Sequence, residues 1–326
     1  MAVYTTIDKP SDYFETVLYT GTGSTQSITS LDFQPDWVWG KTRNDTQDHQ
    51  IIDSVRGATK LLATNGTAVE FTDTNNLTSF NSNGFTVGSS GGINGSSDTL
   101  VTWCWKAGGS ASSNSNGSIT STVSASTDSG FSIVKWTGNG SNPSTVGHGL
   151  GAVPKMIITK RISGDTASWH SYHAGIGNAY DIYLNGANAK ASDTSWNSTT
   201  PTSSVFTVNG ANVNVSGAPY IAYCFADVKG FSKFGSYVGN GNADGTFVYT
   251  GFSPAFVIVK RTDAVESWFL YDNKRNAHVG NERYYVLKPN TAGAENTTYS
   301  DNWQMDFLSN GFKLRTTAGH LNSGNL

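Results

Sequence analysis

The chain has 326 residues, of which only 14% are charged, and its formal net charge at pH 7 is −3. A protein so weakly charged lacks the basic surface that a nucleic-acid backbone or an anionic membrane requires, so we expect neither as a partner. The 36 glycines and the 12% aromatic content are typical of an all-β protein with many tight turns.

One sequence pattern occurs three times along the chain. A Gly-X-Gly turn leads to a proline, and a lysine follows that proline after six residues. The turns are Gly21-Thr22-Gly23, Gly138-Asn139-Gly140 and Gly239-Asn240-Gly241, and the later pairs are Pro35 with Lys41, Pro154 with Lys160, and Pro254 with Lys260. A period of about 100 residues is too long for a solenoid unit and typical of a domain. The pattern therefore predicts three homologous domains in series.

The predicted fold is all-β: three tandem homologous β-sandwich domains, jelly-roll-like, of about 100 residues each. In chain order we expect an N-terminal arm (1–13), repeat 1 (14–106), a linker rich in Gly, Ser and Asn (107–130), repeat 2 (131–226), a short linker (227–233) and repeat 3 (234–326). The first linker is either flexible or an added hairpin. The second is so short that repeats 2 and 3 should touch. The arm either frays or adds as a strand to a neighbour.

Strand patterns and register give two further expectations. The segments Met156–Ile158 and Phe256–Val259 are apolar on both faces, which predicts central strands. Asn94 and Asn214 each stand ten residues before a cysteine that lies in an apolar strand. Asn322 has the same place in repeat 3, so by register an apolar strand of about ten residues should follow residue 326. We expect repeat 3 to lack its last strand.

Three repeated features have competing interpretations. The Gly-X-Gly motif could hold a phosphate, but a strand rather than a helix follows it, so we predict a hairpin turn. The basic pairs after the central strands either form a repeated binding site or pair with acids of their own domain, such as Asp53 or Asp272; we favour the second. Cys104 and Cys224 occupy the same register in separate repeats, which predicts buried free thiols rather than a disulfide.

The search for reactive groups yields few candidates. The segment Ser168 to His173 resembles a metal or catalytic cluster in its residue types. It aligns with Ser267 to Asp272, which predicts that its aromatic residues belong to the shared structural framework of the repeats. The acids around Trp268 and Trp303 are more simply solvated loop charges. We predict no catalytic residue, no cofactor and no metal, and hence no enzyme.

Exposed aromatic rings could stack on a sugar. The residues predicted as glycan or partner contacts are Trp169, His170, His173, Trp196, Trp268 and Trp303. Since the repeats share a scaffold, function should lie where the copies differ. Those segments are the Trp169–Asn178 loop, the Asp272–Arg283 loop and the N-terminal arm.

Several motifs together resemble the repeats of virion structural proteins of marine tailed phages, including cyanophages and pelagiphages. The motifs are Phe33–Trp39, Gly84–Gly88, Val101–Lys106, Val146–Leu150 and Tyr220–Ala226. The resemblance covers nearly the whole chain. It implies a fibre, tail-appendage or capsid-surface protein and supplies no catalytic residues.

The leading expectation is a non-enzymatic virion protein that docks on phage capsid or tail proteins through its N-terminal part and projects toward the host. It would lie on the particle surface after assembly in the host cytoplasm, and a fibre would be a homo-oligomer, normally a trimer. The alternative is a carbohydrate-binding adhesin that recognises a host surface glycan. A polysaccharide depolymerase is a third option, and it would need two facing carboxylates in a cleft.

Overall fold

The computed structural model describes residues 5–275, 280–299 and 301–324. In these ranges the chain is all-β, with several antiparallel sheets and only one-turn helices. The arm contributes a 3-10 turn, η1 (Pro10–Asp12), and the buried side chain of Ile7. Residues 1–4 of the predicted arm and any strand beyond residue 326 lie outside the described residues.

Repeat 1 forms a six-stranded sheet and a three-stranded sheet. In spatial order, the larger sheet contains β1 (Phe14–Thr20), β9 (Thr99–Trp105), β3 (Trp37–Thr42), β4 (Gln50–Asp53), β5 (Lys60–Ala63) and β6 (Phe71–Thr72). The smaller contains β2 (Gln26–Ile28), β8 (Gly84–Val87) and β7 (Leu77–Asn81), and α1 (Gly91–Asn94) connects β8 to β9. Apolar side chains of both sheets, such as Val38 and Phe85, form one buried cluster.

Repeat 2 has the same plan with an added edge. Its larger sheet contains, in spatial order, β10 (Ser112–Asn114), β11 (Ser121–Ser126), β12 (Phe131–Thr137), β19 (Pro219–Phe225), β14 (Met156–Arg161), β15 (His170–His173), β16 (Tyr180–Tyr183) and β17 (Ala191–Ser192). The smaller contains β13 (Ser144–Gly147) and β18 (Val205–Val208), and α2 (Gly210–Val213) precedes β19. Residues 107–130 thus form the added hairpin, one of the two alternatives left open by the sequence.

Repeat 3 is organised differently at one edge. One sheet contains, in spatial order, β20 (Phe247–Tyr249), β25 (Gly311–Leu314), β24 (Met305–Leu308) and β23 (Glu282–Arg283). The other contains only β21 (Phe256–Lys260) and β22 (Trp268–Asp272), and α3 (Gly319–Asn322) follows β25. The prediction of a central strand is confirmed for Met156–Ile158 and wrong for Phe256–Val259, because β21 has a strand partner on one side alone among the described residues.

The last strands of repeats 1 and 2, β9 and β19, are called here the closing strands. Each lies between the first and third strands of its repeat. Successive side chains of a strand point to opposite faces. In β19, Tyr220 and Cys224 therefore join the buried cluster of repeat 2, while Ile221 and Tyr223 join a different cluster. Each closing strand is apolar on both faces because each face covers a core.

That second cluster is shared by the three repeats. It contains Trp37 and Trp103 from repeat 1, Tyr223 from repeat 2, and Trp268 and Leu270 from repeat 3, all buried. Each repeat also has a buried cluster of its own. The repeats are therefore not three separate bodies on a string; they pack against one another around common apolar side chains.

Contacts between the repeats run in a cycle. The indole Nε1 of Trp169 in repeat 2 donates to the carbonyl of Ala63 in repeat 1 at 2.8 Å. Trp268 of repeat 3 donates in the same way to Tyr183 of repeat 2 at 2.9 Å. Repeat 1 returns to repeat 3 through the threonine hydroxyl of Thr64, which donates to the carbonyl of Pro289 at 2.7 Å. Each repeat thus holds the next by hydrogen bonds to backbone carbonyls.

The Gly-X-Gly motifs are turns, but the prediction of a hairpin is wrong, because the turns at Gly21 and Gly138 connect strands of different sheets, β1 to β2 and β12 to β13. The second glycine of each motif has a positive φ, 69° at Gly23, 71° at Gly140 and 67° at Gly241, a conformation that L side chains rarely adopt. A Cβ on Gly21 would lie 2.1 Å from the carbonyl oxygen of Gly95. A strand follows each turn.

The cysteine prediction is also confirmed, since Cys104 and Cys224 are buried free thiols. Burial raises the pKa of the Cys104 thiol to about 12, so it stays protonated at neutral pH. In the part of the chain that the structure describes, no helix is both long and apolar enough to span a membrane.

Candidate functional site

Three of the tryptophans predicted as glycan contacts are packing residues. Trp169, Trp196 and Trp268 are 0%, 1% and 5% exposed. Trp169 and Trp268 belong to the shared core, and Trp196 packs edge-on against Tyr172 inside repeat 2. A buried ring face cannot stack on a sugar, so the structure corrects the expectation of sugar contact at these positions.

Trp303 has a different setting. It is half-buried, with its ring 4.6 Å from that of His320 and 5.5 Å from that of Phe269. The ammonium of Lys288 lies 4.9 Å from the centre of its ring, within the range of a cation–π interaction. Of the four predicted tryptophans, Trp303 alone is not buried.

The two predicted histidines have structural partners. His170 Nδ1 hydrogen-bonds Asp181 Oδ2, and both residues are buried. His173 is half-buried, and its Nδ1 accepts the backbone N–H of Gly175 at 3.0 Å. His173 stands where repeats 1 and 3 have Asp53 and Asp272, because all three pair with the first residue of the central strand.

His170, Asp181 and Asp193 form the group of the described residues that could hold a metal ion, with ligand atoms within 4.8 Å of one another. Asp181 Oδ1 already accepts the backbone N–H groups of Ser171 and Ile182, both at 2.8 Å. Asp181 Oδ2 is taken by the imidazole. Asp193 Oδ1 accepts the backbone N–H of Ser195. Hydrogen bonding within the protein thus accounts for these side chains.

The interpretation that the basic pairs bind acids of their own repeat is confirmed for two arginines, Arg161 with Asp165 and Arg261 with Asp263. It is wrong for the three lysines, which form no ion pair among the described residues. Lys160 Nζ donates to the carbonyls of Thr67, in repeat 1, and Ala167. Lys41 donates to the carbonyl of Thr42 at 2.6 Å, and Lys260 to that of Arg261 at 2.6 Å. Asp53 and Asp272, the acids proposed as partners of the basic pairs, bind Arg56 and Arg275 instead. Lys160 and Lys260 thus support the backbone of the neighbouring repeat, whereas Lys41 donates to carbonyls of its own repeat.

Burial changes the ionisation of these lysines. It lowers the pKa of Lys41, Lys160 and Lys260 to about 8 in each case. A buried ammonium held mainly by carbonyl dipoles loses more hydration than its hydrogen bonds return. Lys160 and Lys260 are therefore a pH-sensitive part of the interfaces between repeats.

Buried acid–arginine pairs are the polar groups that sequence reasoning missed. Asp53 pairs with Arg56, and the hydroxyl of Tyr223 donates to Asp53 Oδ2 at 2.7 Å. The pair belongs to repeat 1 and the tyrosine to repeat 2. The Asp-X-X-Arg spacing, present at Asp53 and again at Asp272, was the available signal.

The second pair repeats this arrangement between repeats 3 and 1. Asp272 pairs with Arg275, and Trp103 Nε1 donates to Asp272 Oδ2 at 3.0 Å. Although burial opposes ionisation, the charge and hydrogen bonds of Arg275 hold the pKa of Asp272 below its usual range. Glu295 bridges the network, at 2.6 Å from Arg275 and 2.7 Å from Arg43. Charged side chains thus hold repeat 1 against repeat 3.

A small cavity of about 430 Å³ in repeat 3 brings carboxylates together, the feature that a depolymerase would need. Glu282, Asp301 and Asp306 line it, together with Arg315. Asp306 accepts a hydrogen bond from Arg315 Nε at 2.6 Å. That carboxylate is held as an ion pair. Residues 276–279 of the predicted Asp272–Arg283 loop lie outside the described residues.

A second cavity, of about 1100 Å³, opens where the three repeats meet beside β21. Its floor is apolar and includes Ile158 and Ile176 from repeat 2 and Phe256 and Ile258 from repeat 3. The rim carries exposed apolar side chains, with Val238 56% exposed. We call this cavity the β21 groove. A volume above the usual range of a small-ligand pocket suits a peptide segment.

These features define the class of protein: an all-β repeat protein whose repeated side chains join the repeats and whose described part has a large apolar groove along an edge of β21. The chain belongs to the family of a domain of unknown function (DUF7483), whose model matches residues 9–325. No curated protein and no solved structure matches the chain.

Proposed function

We propose that the protein is a non-enzymatic structural component of a bacteriophage virion, a fibre or an appendage of the tail or capsid. It lies on the particle surface after assembly in the host cytoplasm. Its N-terminal part docks on capsid or tail proteins, and it assembles as a homo-oligomer, with a trimer expected for a fibre. In this proposal the repeats are homologous β-sandwich domains of jelly-roll type.

One observation carries the non-enzymatic part of the proposal: side chains at repeated positions join the repeats. The repeated lysines donate to backbone carbonyls, two of them across an interface between repeats. The tryptophans Trp169 and Trp268 also donate across such interfaces. A chain that uses its repeated side chains in this way is suited to a rigid assembly unit. The resemblance of its motifs to phage virion proteins supports the choice of assembly.

Mass spectrometry of purified particles of the phage that encodes the protein tests the proposal. We expect peptides from the chain at a copy number that is a small multiple of the tail or capsid symmetry, and immunogold label on the particle surface. A protein abundant in the infected-cell lysate but absent from particles would contradict the proposal. Light scattering of the purified chain tests the trimer separately.

The adhesin remains a second candidate because Trp303 keeps exposed surface beside Lys288. In this alternative, its indole stacks on a host surface glycan. Glycan-array binding that is lost in Trp303→Ala and kept in Phe71→Ala would support it. Phe71 is a matched control because it is an aromatic residue 48% exposed in another repeat. Equal binding by both variants would contradict a site at Trp303.

A further inference from the structure

The β21 groove occupies the place of a closing strand. In repeat 1, β9 pairs with β1 on one side and β3 on the other. In repeat 2, β19 pairs in the same way with β12 and β14. The corresponding segments of repeat 3 are 232–238 and β21, and both line the groove. In the described residues, no strand pairs with the edge of β21 that faces the groove.

Burial shows that β21 lacks the cover that its counterparts β3 and β14 have. All six residues of β3 are buried, as are the first five of β14. In β21 burial alternates, and Phe256, Ile258 and Lys260 are only half-buried. Val257 is 9% exposed, whereas its equivalents Val38 and Ile157 are 0% exposed. Strands exposed in this way at an apolar edge are sites for strand addition.

The wall of the groove that repeat 2 contributes suits an apolar strand. In the other two interfaces, the middle aromatic residue of the closing strand meets a buried acid–arginine pair, as Tyr223 meets Asp53. At the third interface, His173 and Ile176 of repeat 2 stand in the places of the acid and the arginine, and both line the groove. A strand here needs aliphatic or aromatic side chains and no donor for a carboxylate.

The end of α3 lies at the mouth of the groove in the same setting as α1 and α2. Asn322 Oδ1 accepts the backbone N–H of Asn240 at 2.9 Å, as Asn214 Oδ1 accepts that of Asn139 at 3.1 Å. Leu321 and Ser323 line the groove. In repeat 2, the closing strand begins five residues after Asn214. A strand that continues from α3 would enter the groove in this register.

We propose that the β21 groove binds one antiparallel β-strand of about seven apolar and aromatic residues, in the register of β9 and β19. This strand completes the sheet of repeat 3 and closes the core that the three repeats share. The proposal does not depend on where the protein assembles.

The test compares the 326-residue chain with a version extended after residue 326 by a second copy of Pro219–Ala226. By register, residue 326 corresponds to Ala218. Hydrogen exchange measured by mass spectrometry reports on peptides that contain β21. We expect exchange of the β21 amides to slow by at least about tenfold in the extended chain, because a paired edge exchanges only on opening. The matched control carries Ile221→Asp and Tyr223→Asp in the appended copy alone and should leave β21 unprotected.

Two results would overturn the proposal. One is an extended chain that folds while β21 exchanges at its original rate. The other is a 326-residue chain that is a dimer with β21 already protected, since a second copy would then occupy the groove. If the extended chain does not fold, the Pro219–Ala226 peptide is added to the 326-residue chain at about 1 mM. Protection of β21 supports the proposal, and its absence overturns it.

Discussion

The hydroxyl of Tyr223 provides a sensitive test of how the repeats are joined. It donates to Asp53 Oδ2 at 2.7 Å and lies 3.4 Å from Arg56 Nη2, and the tyrosine and the acid are 170 positions apart in the chain. Tyr223→Phe removes one oxygen atom and keeps the ring in the shared core. A hydrogen bond to a charged, buried group contributes about 1.5–3 kcal/mol. We expect the free energy of unfolding to fall by that amount.

Urea denaturation followed by tryptophan fluorescence measures this loss. Tyr220→Phe is the matched control, because Tyr220 lies in the same strand and its hydroxyl, which accepts the backbone N–H of Val215 at 3.1 Å and interacts with the side chain of Arg161, makes these contacts within repeat 2. Its expected loss is about 0.5–1.5 kcal/mol, the value for a neutral hydrogen bond. A loss in Tyr223→Phe no larger than that in Tyr220→Phe would refute the role of this contact between repeats.

Three further predictions concern the same interfaces. Between pH 7.5 and 9.5 the unfolded chain binds more protons than the folded one, because the folded pKa of Lys160 is about 8 against an ordinary 10.5. The free energy of unfolding should therefore rise with pH, and Lys160→Met should reduce that rise by about 2 kcal/mol. An unchanged rise in the variant would contradict this prediction. Trp169→Ala should lower the free energy of unfolding by about 3–5 kcal/mol, since the indole is fully buried and bonds Ala63; a urea midpoint shift worth under about 1.5 kcal/mol would contradict this. Arg275→Met removes the arginine partner of the buried Asp272 and leaves Glu295 with Arg43 alone, so it should lower the free energy of unfolding by about 3–5 kcal/mol. The more exposed pair of Arg315 should lose under about 1 kcal/mol in Arg315→Met, and equal losses would show that burial does not set the difference.

The sequence predicts the local architecture well because the signals for it are local. Positive φ at Gly23 and its counterparts, the two-sided apolar strand at Met156 and the buried thiol of Cys104 all follow from short-range pattern. Period and turn chemistry are enough for these features.

The packing of the repeats against one another could not be predicted from such short-range patterns. A two-sided apolar strand such as β9 shows that both faces are covered but does not show that the second cover is another repeat. Trp169 looks the same in sequence whether its indole meets a sugar or the carbonyl of Ala63. The partner of Lys160 is a backbone carbonyl in another repeat, and carbonyl groups leave no trace in a sequence. Long-range packing decides each of these cases.

The same difference between local signals and long-range packing applies to the candidate site. Sequence reasoning placed function in aromatic and histidine side chains of the loops, and the structure assigns most of these to packing. The β21 groove was missed as a site because its lining comes from all three repeats. Its cause, an unpartnered strand position in repeat 3, could be anticipated from register alone.

The central claim is that the three repeats form one cooperative unit around a shared core. Differential scanning calorimetry of the 326-residue chain tests it most directly. A shared core predicts one transition whose calorimetric enthalpy equals its van't Hoff enthalpy. Separate transitions, or a calorimetric enthalpy about three times the van't Hoff value, would show three independent domains and contradict the account.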